Sequence, residues 1–85
     1  MMKREFARRL VNELEEKYDV QTVLKKIKDN YHSVNEQLEI VNLIREIYIE
    51  ETKGVFEDVN AFLALVNQVE EQIKSQSNAQ LGDGR

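Results

Sequence analysis

The stretch Gln37–Ile49, QLEIVNLIREIYI, decides the fold of this chain. Placed on a helix at about 100° per residue, Asn35, Glu39, Asn42, Glu46 and Glu50 fall on one narrow polar strip. Leu38, Ile40, Val41, Leu43, Ile44, Ile47, Tyr48 and Ile49 fill most of the remaining circumference. A helix on the surface of a globular protein carries a much narrower apolar stripe. This segment therefore belongs at the centre of the fold or is covered on two sides. Apolar surface beyond what its own companions cover is expected to dock on another polypeptide.

The boundaries of this helix are written beside it. Ser33 and Glu36 form the S-x-x-E pattern of a capping box directly before the apolar run. The helix is expected from Val34 to about Thr52, with Gly54 in the left-handed position that ends helices. Upstream, Asp29-Asn30-Tyr31-His32-Ser33 reads as a turn, because Asn and Asp side chains bond their own backbone there.

Two further segments lie before that turn. Phe6, Ala7, Leu10, Val11 and Leu14 recur at helical steps within an expected helix over Lys3–Lys17. Asp19 offers an N-cap, after which Val20, Val23, Leu24 and Ile27 continue a stripe on a second helix. Neither glycine nor proline forces a break at Asp19, so one continuous kinked helix is the alternative. Beyond Gly54, Val59, Phe62, Val66, Val69 and Ile73 repeat at 3-4-3-4 spacing, the mark of a long bundle helix. That helix is expected to begin between Val55 and Asp58 and to end near Ser75.

These elements make one all-α domain over residues 1–75, a small antiparallel bundle of three to four helices, followed by a flexible tail over 76–85. The 85-residue chain has no proline and three glycines, so few breakers interrupt its helix-forming residues. It also has no cysteine, which removes disulfides as a source of stability and favours a reducing compartment. The longest apolar run, Ala61–Val66, falls far short of the ~20 residues that span a bilayer. The basic amphipathic start lacks the apolar core of a signal peptide. A cytoplasmic protein is expected.

Charge is unevenly distributed. Residues 1–28 carry eight Lys/Arg against five Asp/Glu, whereas residues 29–74 carry three against ten. Such a dipole is suited to steering self-pairing or a charged partner.

Catalytic machinery is not apparent. His32, the single histidine, lies in a turn with no positioned carboxylate or nucleophile beside it in sequence. The adjacent acidic pairs Glu15-Glu16, Glu50-Glu51, Glu57-Asp58 and Glu70-Glu71 diverge on a helix and do not form dyads. No Glu-x-x-His pair of a bundle di-metal site and no glycine-rich phosphate loop is present. No enzyme activity, cofactor, metal or small-molecule substrate is expected.

The leading expectation is a non-enzymatic interaction module, acting as a homodimer or as an adaptor, inhibitor or regulator of a protein partner. Helices three and four would supply its contact surface, with Leu38, Val41, Arg45, Tyr48 and Ile49 as the interface residues. Arginine and tyrosine are enriched at binding hot spots, and Arg45 and Tyr48 stand one turn apart. The alternative is a small nucleic-acid-associated regulator that sets Arg4, Arg8, Lys25, Lys26 and Lys28 against phosphates. That reading requires helices one and two to lie side by side.

Overall fold

The computed structural model describes residues 2–52 and 59–82, with side chains as far as Ser75. Within these residues the chain forms α1 (Lys3–Lys17), α2 (Val20–Asn30), α3 (Val34–Thr52) and α4 (Val59–Gly82). The protein is an all-α helical bundle. The expected ending at Gly54 and the expected start of the fourth helix between Val55 and Asp58 lie outside the described residues. The last helix continues past Ser75 to Gly82. Nothing between Asn60 and Leu81 is a glycine or proline, so no residue there interrupts the backbone ladder.

The first two helices are separate, and the break is made by Tyr18 and Asp19. Tyr18 adopts φ 54° and ψ 29°, a left-handed conformation, while its N–H closes on the Leu14 carbonyl at 3.0 Å. This is the geometry that usually calls for glycine at a helix end. Asp19 then caps α2, accepting from the Thr22 N–H at 3.1 Å and from the Thr22 hydroxyl. Its carboxyl is held below the usual range chiefly by that hydroxyl and then by the Thr22 N–H.

Ser33 caps α3 as its spacing indicates, accepting from the Glu36 N–H at 3.2 Å. The reciprocal half of the box is spent differently, since the Glu36 carboxylate lies 3.6 Å from the Lys3 ammonium. Gln37 is the one buried polar residue among those described, and its Nε2 donates to the Tyr31 carbonyl at 2.8 Å. A carbonyl freed by the end of α2 is thereby satisfied from inside α3.

Directions follow from the contacts between helices. Lys3 reaches Glu36 and Glu39 near the start of α3, and Arg8 meets Glu51 at its end, so α1 and α3 run the same way. Glu13 meets Lys26, and Tyr48 stacks on Phe62, which sets α2 against α1 and α4 against α3. In space α3 packs chiefly on α1 and α4, and α2 packs chiefly on α4 and closes back onto α1. This arrangement accounts for the near-continuous apolar girth of α3. Its flank with Glu39 and Glu50 turns to α1, its flank with Arg45 and Tyr48 turns to α4, and it is covered twice.

The core takes every residue of the expected stripes on α1, α2 and α4: Phe6, Ala7, Leu10, Val11 and Leu14; Val20, Val23, Leu24 and Ile27; Val59, Phe62, Val66, Val69 and Ile73. From α3 it takes Ile40, Val41, Ile44, Ile47 and Tyr48. Burying a side chain of this kind contributes about 1.5–3 kcal/mol. The fold rests on these stripes.

Candidate functional site

Of the five expected interface residues, the bundle itself consumes two. Val41 is fully buried and Tyr48 is 6% exposed, with its ring stacked on Phe62 at 3.7 Å between centroids and 9° between planes. Val41 is closed to a partner in this bundle, and Tyr48 keeps little open surface. The reason is α4, which lies against this flank of α3. Leu38 is half-buried, and Ile49 is 52% exposed.

Arg45 serves the interior of the molecule. Its guanidinium donates to Asn42 Oδ1 at 3.1 Å, to Asn67 Oδ1 at 2.8 Å and to the Glu70 carboxylate. Glu70 in turn accepts from Lys74 at 2.7 Å. Together the lysine and the arginine, in that order, hold the Glu70 carboxyl below its usual range. Arg45 is thus a staple between α3 and α4. Sequence spacing placed it on the edge of an apolar arc, but its partners lie on α4, where spacing along α3 carries no information.

What remains open on this side is the outer flank of the α3–α4 pair. Leu38, Asn42, Arg45 and Ile49 share one stripe of α3, at helical steps of four, three and four. The Arg45–Asn67 bond sets the antiparallel register, by which Ile49, one turn on, is level with the half-buried Leu63. The flank has an apolar end and a guanidinium at its middle.

The basic residues do not gather into one row. Arg4 pairs with Glu50 at 2.6 Å and Arg8 with Glu51 at 3.5 Å, so both are engaged by α3. Lys26 is paired with Glu13. Lys25 and Lys28 have no ion pair among the described residues and border a groove with Gln21, Leu24, Asp29 and Gln72. The charge asymmetry along the chain is largely answered within it, because the bases of α1 meet the acids of α3. Exposed pairs of this type contribute about 0–1 kcal/mol each. Their use is to fix which face of α1 meets α3.

His32 is exposed in the α2–α3 turn, and among the described residues no group of three His, Cys, Asp or Glu side chains is arranged to hold a metal ion. No helix among them is long and apolar enough to cross a membrane. A second concavity, missed by sequence reasoning, lies where α1 ends. It is lined by Glu15, Tyr18, Tyr48, Ala61 and Phe62. No sequence signal joins these residues, since they come from three helices and a junction. Compared with protein-family models, with curated proteins and with solved structures, the chain matches none.

Proposed function

We propose that this chain is a non-enzymatic helical module that binds protein, in the first instance a second copy of itself, through the outer flank of the α3–α4 pair. The observation that carries the reading is Ile49, 52% exposed on a helix whose other large apolar side chains are buried or half-buried. Single exposed isoleucines are ordinary. This one shares its stripe with the half-buried Leu38 and, by the register of the pair, lies level with the half-buried Leu63, which makes an aliphatic contact area. The centre of an interface is an apolar anchor closed off from water, and Ile49 is the residue of this flank placed to serve as one. A regulatory or adaptor role in the cytoplasm suits a module of this kind. The lack of cysteine supports such a compartment.

Sedimentation over a concentration series tests the reading. The wild-type chain is expected to associate reversibly, and Ile49→Glu to be monomeric with the same helical circular dichroism and thermal midpoint. A wild-type chain that stays monomeric at millimolar concentration overturns self-association. So does association that Ile49→Glu leaves unchanged.

A further inference from the structure

We propose that the recess at the end of α1 is a binding site for a cationic side chain, the ammonium of a lysine or the guanidinium of an arginine, presented by a peptide or protein. It shares no residue with the stripe Leu38, Asn42, Arg45 and Ile49 and does not depend on it. Among the described residues it is lined by Glu15, Tyr18, Ala61 and the stacked, buried pair Tyr48 and Phe62. The volume is about 140 Å³, room for a small head group with part of its stem.

Three features favour a cation over an apolar or anionic occupant. Aromatic faces carry negative charge and attract ammonium and guanidinium groups. Tyr18 is 67% exposed, so its ring is accessible to such a group. Second, Glu15 has no hydrogen bond or ion pair among the described residues, and an incoming cation would provide one. Third, Glu16 and Glu51 both repel the Glu15 carboxylate, and among the described residues only Glu51 has a cation, Arg8 at 3.5 Å. Partial burial first, and then these two neighbours, push the Glu15 carboxyl above its usual range. A cation beside it relieves that repulsion, whereas an anion adds to it. An organic cation suits the site better than a metal ion, because Glu15 is the one carboxylate in its lining among the described residues.

The test is a nuclear magnetic resonance titration of the full chain with N-acetyl-lysine methylamide, N-acetyl-arginine methylamide and the neutral N-acetyl-norleucine methylamide. At least one of the cationic probes is expected to give saturable shifts centred on Glu15, Tyr18, Ala61 and Phe62, and the neutral probe is not. Glu15→Gln and Tyr18→Gly are each expected to weaken binding by about threefold or more. The glycine deletes the ring while suiting the left-handed backbone, so the corner is kept. An equal response to norleucine, shifts centred elsewhere, no saturable shift with either cation, or affinity indifferent to both variants overturns the proposal. Running the titration in the Ile49→Glu background as well separates this outcome from the fate of the self-association reading.

Discussion

Replacing Arg45 measures how the α3–α4 pair is held. The Arg45 side chain is 25% exposed and that of Glu70 21%, so their hydrogen bond is neither fully solvated nor fully buried. A hydrogen bond to a charged group contributes about 1.5–3 kcal/mol when protected, and an exposed ion pair about 0–1 kcal/mol. The half-buried pair falls between these limits, at about 1 kcal/mol. Arg45→Met keeps an apolar stem of similar reach and removes only the guanidinium. Glu70 keeps Lys74, and Asn42 and Asn67 are exposed enough to turn to water, so no acceptor is stranded. The expected loss for Arg45→Met is therefore about 1 kcal/mol, or roughly 4–8 °C in the midpoint of a domain of this size. Arg45→Ala also removes the stem that covers the α3–α4 seam, and the loss is expected to rise to about 2 kcal/mol. Urea denaturation with a double-mutant cycle against Glu70→Gln isolates the pair, with an expected coupling of about 0.5–1.5 kcal/mol. Measurements on the monomeric Ile49→Glu background keep association out of the result. An unchanged monomer midpoint in Arg45→Ala, or no coupling to Glu70, refutes the staple and leaves Arg45 free to act on a partner.

Two further outcomes follow from the buried and charged contacts. Glu70 titrates below its ordinary 4.5 because Lys74 and Arg45 favour the charged form, so its contribution is present above that value and is lost as pH falls through the folded one. Thermal midpoints measured below pH 4.5 are expected to fall in the wild type and to fall less steeply in Glu70→Gln, and parallel curves would contradict this. Gln37→Leu strands the Tyr31 carbonyl at the end of α2 and is expected to cost about 1–3 kcal/mol in urea denaturation, and a neutral result would show that water replaces the amide.

Much of the fold was legible because helical periodicity is a local property. The stripes on α1, α2 and α4 are buried residue for residue as their spacing indicates. The caps at Asp19 and Ser33 were legible for the same reason, since a cap and the N–H it accepts from are three residues apart. The break at Tyr18 was only half legible. Asp19 announces a helix start, but a tyrosine gives no sign that it will take a left-handed conformation, and a continuous helix was compatible with the pattern.

The interface residues show where local reading ends. Val41, Tyr48 and Ile49 are all apolar residues of one helix, and composition treats them alike. Their different fates, two buried and one 52% exposed, depend on the position of α4 around α3. The basic residues behave in the same way: Arg4 and Arg8 found carboxylates on α3, while Lys25 and Lys28 have no ion pair among the described residues. The aromatic recess is the extreme case, because residues from α1, the α1–α2 junction, α3 and α4 meet there with no shared motif.

Read alone, the amino-acid order settled that this chain is helical, where most of its helices begin, and which stripe of α1, α2 and α4 faces inward. Those properties arise from residues three or four apart, whose geometry any α-helix imposes. Only the packed bundle decided that α3 is enclosed by α1 and α4, that Arg45 belongs to Glu70, and that Ile49 and the Tyr18 recess stay open. Such outcomes depend on the order and direction of helices in space, and a stripe of apolar side chains specifies that it will be covered without specifying by which neighbour.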